Sequence, residues 1–228
     1  MVFVTGDTHG SFDFNKVLFF VQENKNLTSS DYLIICGDFG GLNSESNFKK
    51  VINLYKNLPL TVLFVDGNHE NFPLLNAKKV ENWQGGKVHK LSDNLFHLMR
   101  GQIFTIENKT FLTMGGAQSA DMFIRQSGLD WFKEELPTQA DFDVAFENLA
   151  KVDFKVDFII THSVCEKALY YPPLIPVRER RGVNQENVML SAFEQNVSYG
   201  HWYFGHYHVD CQVGANKTCV YNEFIKII

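Results

Sequence analysis

Five times along this chain an apolar run that reads as a β-strand ends in a short cluster of Asp, Asn or His. The clusters are Gly6-Asp7-Thr8-His9-Gly10, Gly37-Asp38, Gly67-Asn68-His69-Glu70, Thr161-His162 and Gly205-His206-Tyr207-His208. Side chains alternate along a strand with period two, so His206 and His208 leave the same side of an extended segment. Alone, such a pair says little. Repeated after five strands, it reads as a set of strand ends converging on one metal site, which His206 and His208 close.

The order of the elements supports that reading. Val2–Thr5, Asp31–Cys36 and Thr61–Val65 are short apolar strands. Between them lie two amphipathic helices. Phe14, Val17, Leu18 and Val21 form the inward stripe of the first, with Ser11 or Asp13 as cap. Phe48, Val51, Ile52 and Tyr55 form that of the second, over roughly Glu45–Asn57, and Pro59 stops it. Strand, helix, strand, helix, strand implies a parallel sheet with its ligands beyond the carboxyl strand ends. From Lys87 to Gly115 the pattern changes to four short strand-like runs, an antiparallel meander with a tight turn at Asn108. Leu129–Glu135 and Gln139–Lys151 read as helices, the second capped by Thr138. Val164–Gly182 reads as irregular. Gln185–Asn196 is a helix with Val188, Met189, Ala192 and Phe193 inward, and a hairpin over Val209–Val213 and Thr218–Asn222 closes the pattern. No repeat, low-complexity segment or linker interrupts residues 1–228, so a single domain is expected.

Composition excludes some classes. Hydrophobic residues at 45% and charged residues at 21% describe a globular chain rather than a disordered one. A net charge of −5 lacks the broad basic footprint of a binder of long nucleic acid. Cys36, Cys165, Cys211 and Cys219 form no C-x-x-C pattern, so buried free thiols are expected rather than a thiolate zinc site. The chain opens directly on a strand and holds no apolar run of membrane-spanning length, so a soluble cytoplasmic protein without a membrane partner is expected.

The collected donors are Asp7, His9, Asp38, Asn68, His162, His206 and His208. Oxygen and imidazole donors without thiolate suit Mn(II), iron, Zn(II), Co(II) or Ni(II). Seven donors are too many for one tetrahedral ion and suit two ions with one shared ligand. Asp38, between the two groups in the chain, is the natural bridge, because a carboxylate has two oxygens to share. Only Asp7 and Asp38 bring formal negative charge, so two dications would leave the site positive and attract phosphate. Such a pair turns water into a nucleophile at neutral pH and clamps both oxygens of an in-line displacement. His69, beside a ligand but not needed as one, is placed to protonate the leaving oxygen as general acid.

In this order the motifs resemble the calcineurin-like metallophosphoesterase superfamily, and most of all its small bacterial and phage members of unassigned substrate. The motifs run from Gly6 to His208, nearly the whole chain. The resemblance implies a four-layer α/β/β/α sandwich of two mixed sheets. It implies that Asp7, His9, Asp38 and His208 hold one ion and that Asp38, Asn68, His162 and His206 hold the other. It also implies that His69 assists leaving-group departure. The serine/threonine protein phosphatases, which share the opening motif, continue their second motif with an Asp that orients the catalytic His and an Arg that binds phosphate. Here Asp38 is followed by Phe39-Gly40-Gly41-Leu42. Asp66 is a candidate for the orienting role. Arg100, Arg125, Arg178, Arg180 and Arg181 are candidates for phosphate, with Arg125 and the Arg178–Arg181 cluster first because both lie in irregular segments.

The expected function is a metal-dependent phosphoric ester hydrolase with two divalent ions, manganese first. It would hydrolyse a phosphomonoester or small phosphodiester by attack of a metal-bridging hydroxide. The substrate would be a phosphorylated small molecule, a nucleotide or a phosphoprotein. Two other readings use the same residues: a nuclease or nucleotide phosphodiesterase, and a non-catalytic scaffold on the same fold like the retromer subunit. His89, His97 and His201 match no motif and are expected to be satisfied core or surface histidines.

Overall fold

The computed structural model describes residues 1–41 and 44–228, so Leu42 of the run after Asp38 lies outside the described residues. Strands β1 (Val2–Thr5), β2 (Tyr32–Ile35) and β3 (Thr61–Phe64) are buried almost throughout, which is why they read as continuous apolar runs. They pair in parallel in that order. Helix α1 (Phe14–Glu23) joins the first two, and α2 (Glu45–Tyr55) joins the second to the third. Phe14, Val17 and Phe20 form the buried face of α1. Leu18, expected in that stripe, is turned partly to solvent, because Phe20 fills the inward position against Phe3 and Phe224. Helix α2 buries Phe48, Val51 and Tyr55, and the Ser44 hydroxyl caps it by accepting the Asn47 N–H at 3.1 Å.

The expected meander is divided between two sheets. After a short helix, α3 (Phe72–Asn76), strands β4 (Val80–Trp83), β5 (Gly86–Ser92) and β6 (Leu95–Leu98) form an antiparallel ribbon. This ribbon extends the first sheet, with β6 parallel to β3. Strands β7 (Ile103–Ile106) and β8 (Lys109–Met114) form a hairpin that opens the second sheet. Its tight turn has positive φ at both Glu107 and Asn108, the geometry that suits the strand twist. Local pairing was therefore readable, but the transfer between sheets at Gly101, whose φ is 71°, was not.

The second sheet adds β9 (Lys155–Thr161), β10 (Ser198–Phe204), β11 (Cys211–Val213) and β12 (Lys217–Cys219), in the order β11-β12-β10-β9-β8-β7. Strand β13 (Ile225–Lys226) follows the closing hairpin and returns to the first sheet, whose order is β13-β1-β2-β3-β6-β5-β4. Helix α4 (Gln139–Ala150) carries the Thr138 cap as expected, in a reciprocal box with Asp141. Leu129–Glu135 is not a helix. The Gln126 carbonyl takes the N–H groups of Leu129, Asp130 and Trp131, and only a short 3₁₀ turn forms at Lys133–Glu135. Conversely, Val164–Gly182 holds helix α5 (Ile175–Arg181). In α6 (Gln185–Asn196) Leu190 and Phe193 are buried, whereas Val188 faces solvent.

Three apolar clusters hold these elements. One lies between the sheets and joins Val4, Ile34 and Leu63 to Phe104, Phe111 and Ile160. A second packs α1 and α2 on the outer face of the first sheet, and a third packs α4, α5 and α6 on that of the second. The result is the expected helix, sheet, sheet, helix layering. Among the described residues no helix is long and apolar enough to cross a membrane.

Candidate metal centre

The carboxyl ends of β1, β2 and β3 are neighbours in one sheet, and those of β9 and β10 in the other. The five polar clusters follow these ends, and their side chains meet. One donor atom each from Asp7, His9, Asp38 and His208 lies within 4.8 Å of the others. Beside them, His162 Nε2 is 3.3 Å from Asp38 Oδ1 and 3.1 Å from Asn68 Oδ1. The two oxygens of Asp38 thus face different groups, with Oδ2 3.3 Å from His9 Nε2. His206 is the least convergent. Its ring lies 4.9 Å from that of His162, but its Nε2 is 3.3 Å from Arg181 Nη1.

Main-chain geometry explains how bulky donors approach so closely. Among the described residues ten non-glycine residues have positive φ, and five of them are Asp7, His9, Asp38, His206 and His208. Such conformations are rare outside turns and concentrate at functional sites. Glycine clears the space at Gly67, where a Cβ would collide with Asp38 Oδ1 and the Asp38 amide.

His9 and His162 each have one ring nitrogen committed to the protein, which directs the other inward. His9 Nδ1 pairs with Asp13 Oδ2 at 2.7 Å, and His162 Nδ1 with the Cys36 carbonyl at 2.8 Å. This is the outer hydrogen bonding that metal-binding histidines use to fix tautomer and direction. His208 stacks on Tyr221 with its Nε2 3.6 Å from Asp7 Oδ1. The Asn68 amide donates to Ser119 Oγ at 3.2 Å, leaving its oxygen toward His162. Ser119 is in turn held by Glu135. Two carboxylates, an amide oxygen and imidazoles, without thiolate, are donors that divalent borderline metals accept.

Charge is balanced by protons in this arrangement. Burial opposes charge on His162, but Asp38 and Asp7 override it and raise its pKa to about 10. Burial likewise opposes charge on His9, and Asp38 and Asp13 hold its pKa up at about 9. Asp38 stays well below the usual carboxylate range, because His162 and His69 outweigh its burial. Burial, then His162 and Arg181, depresses His206. His69 is also lowered by burial, with Asp38 opposing and Arg125 assisting.

The catalytic candidate His69 lies at the mouth. Its main-chain N–H donates to Asp38 Oδ1 at 2.9 Å, and its ring Nε2 is 3.9 Å from Asp38 Oδ2. Asp66 does not orient it. That carboxylate is buried on the far side, bound to His97 Nε2 at 3.0 Å and Arg100 Nε at 2.9 Å. The guanidinium of Arg125 lies on His69 instead, 3.1 Å from Nε2 and 3.3 Å from Nδ1. Arg181 also reaches the site, donating to the His206 carbonyl at 3.1 Å. Arg178 does not, since its guanidinium covers the Tyr170 ring and Arg180 bonds the Pro176 carbonyl. Arg125, Arg181, His69, His206, His208, Asp38 and Asn68 surround a cavity of about 260 Å³.

Two supporting groups, Glu70 within the third motif and Lys16 outside the motifs, are given no role by the sequence pattern. Glu70 is buried and accepts the N–H groups of Phe39 and Gly67, each at 2.6 Å, which fastens the second motif to the third. Lys16 donates to the Gly6 and Asp7 carbonyls and to that of Tyr221, fastening the first motif to the last hairpin. His89, His97 and His201 lie away from the centre and are partnered, as expected.

No curated protein matches the sequence. Among solved structures, a protein of unknown function from Aquifex aeolicus aligns at 15% identity over 87% of each chain, with a TM-score of 0.40. Residues 1–210 match the calcineurin-like phosphoesterase family, a span that contains every donor described above. The chain therefore belongs to the calcineurin-like phosphoesterase family.

Proposed function

We propose that this chain, acting as one domain, is a dinuclear metal-dependent phosphoesterase that hydrolyses a phosphomonoester or small phosphodiester. The observation that carries the proposal is the division of Asp38, one oxygen facing His9 and the other facing His162. Asp7, His9, Asp38 and His208 would hold one divalent ion, and Asp38, Asn68, His162 and His206 the other. Bound ions, manganese first, would supply a nucleophile from water at neutral pH and neutralise phosphate charge. Arg125 and Arg181 border the cavity and would bind the remaining phosphate oxygens as charge-assisted donors. His69, half-buried at the mouth, would deliver a proton to the leaving oxygen. Burial, assisted by Arg125 against its ring, favours the neutral imidazole in the resting state, so the proton would be taken up as the phosphate engages Arg125.

The test is hydrolysis of a generic aryl phosphomonoester and the matching diester by metal-stripped protein, with and without Mn(II). Turnover that appears only with metal is expected. Two bound ions without turnover on either ester would sink the catalytic reading in favour of a scaffold.

A further inference from the structure

A second cavity, of about 500 Å³, adjoins the first and shares His69, Asp121 and Arg125 with it, while the donor His9 also lines it. Its size falls in the range of small-molecule sites, roughly 300–1,000 Å³. We propose that it receives the leaving group of the ester, and that this group is an uncharged nucleoside. The proposal rests on the phosphoesterase reading above.

His69 fixes the direction. It borders both cavities, so a leaving oxygen within its reach lies where they meet. The phosphate then lies toward Arg181, which borders only the first cavity, and the organic group toward the second. The walls there match a planar heterocycle. Phe12 and Ile124 both line it and are each 87% exposed, large apolar side chains that no core packing claims. An aromatic base laid against them would remove both from water, as stacking platforms for bases do. The Ser11 hydroxyl and the Asn47 amide offer polar partners for ring edges and a sugar.

Charge decides against a larger nucleic acid. Asp121 and Asp130 also line this cavity. Asp121 is paired to Arg125 Nε at 2.7 Å, while Asp130 Oδ1 accepts the Gln126 N–H at 2.6 Å and its carboxylate bonds no cation among the described residues. A wall with carboxylates repels a leaving group that carries its own phosphate. The occupant is thus a neutral nucleoside, and the substrate a nucleoside monophosphate rather than a diphosphate or an oligonucleotide.

Calorimetric titration of adenosine into the Mn(II)-loaded protein tests the pocket without turnover. Wild type is expected to bind, and the Phe12→Ala, Ile124→Ala double variant at least about tenfold more weakly. Both residues are exposed, so the variant should fold, which circular dichroism would check. No binding by wild type, or equal binding by the variant, overturns the proposal. Kinetics supply the second arm. Wild type should prefer adenosine monophosphate over glycerol phosphate and over adenosine diphosphate in kcat/KM, and the double variant should lose the first preference through KM. Equal use of all three by wild type also overturns it. Hydrolysis of none of them would instead remove the phosphoesterase reading, while the adenosine titration would still decide what the pocket binds.

Discussion

The metal centre has an inner wall and an outer rim, and they are built in opposite ways. The inner wall is strand ends. Asp7, Asp38, Asn68, His162 and His206 are buried; the side chains of the first four are tied to main-chain groups or to one another, and the His206 main-chain N–H is bound by Asp7. The rim is the segment around Arg125 and helix α5 with Arg181. It is short, largely exposed, and touches the wall through a few guanidinium contacts. The contrast teaches that the chemistry is fixed by the sheets, while what reaches it is chosen by parts that can vary without disturbing them.

The comparison predicts a gradient of effects. Asp38→Asn should be the most severe change. It is expected to release both ions and to lower turnover by more than about a thousandfold, because metal stabilisation is worth several kcal/mol. Metal analysis showing two full equivalents would reject Asp38 as the shared ligand. Next comes Asp66→Asn, behind the wall. It leaves the Arg100 guanidinium buried with weaker partners and should cost about 3–5 kcal/mol in urea unfolding. Burial raises the Asp66 pKa, but Arg100 and His97 override this and hold it well below the usual carboxylate range. That contribution is present above the unfolded-state value of about 3.9 and is lost as pH falls toward the folded value. The variant should therefore show a flatter loss of stability in acid than wild type.

His69→Ala should keep both ions and lose about 10²- to 10⁴-fold in kcat on a poor leaving group, with a smaller loss on an aryl ester. An equal loss on both would remove the acid role. A pH effect comes next. His9 and His162 hold protons at neutral pH in the metal-free centre, with pKa values near 9 and 10. Ions must displace both protons, so affinity should weaken as pH falls below about 9, by up to about a hundredfold per unit. Calorimetry in buffers of different ionisation enthalpy should show close to two protons released per centre, and release of none would contradict the assigned geometry. Arg181→Ala, on the rim, should be the mildest, raising KM by about tenfold with kcat little changed. If it cost as much as Asp38→Asn, wall and rim would not differ as described.

The inner wall was legible because metal chemistry admits few residue types and because each cluster followed a run that could only be a strand. The resemblance then supplied the layering. What stayed hidden depends on partners far apart in sequence. Asp66 looked like the partner of His69 three residues on, yet its carboxylate is claimed by Arg100, 34 residues away. Asp13 looked like a helix cap, but its side chain makes no capping bond and holds His9. Leu129–Glu135 read as helical, but the Gln126 carbonyl draws three N–H groups into a turn and leaves no helical ladder there. Arg178 and Arg181 could not be separated by sequence because they lie on one helix, α5, and only its placement decides which of them reaches the centre.

The left-handed backbone at Asp7, His9, Asp38, His206 and His208 has a consequence for how the protein breathes. A side-chain-bearing residue in that region costs of order 1–2 kcal/mol relative to ordinary backbone. The strand ends are thus wound springs, latched by hydrogen bonds and by whatever cations the donors hold. Amide protons of these loops should exchange fastest when the latch is empty, while the strands leading into them stay protected. A chain evolved only for endurance would relax these positions. This one keeps them taut, so its durability and its reactivity draw on the same few backbone angles.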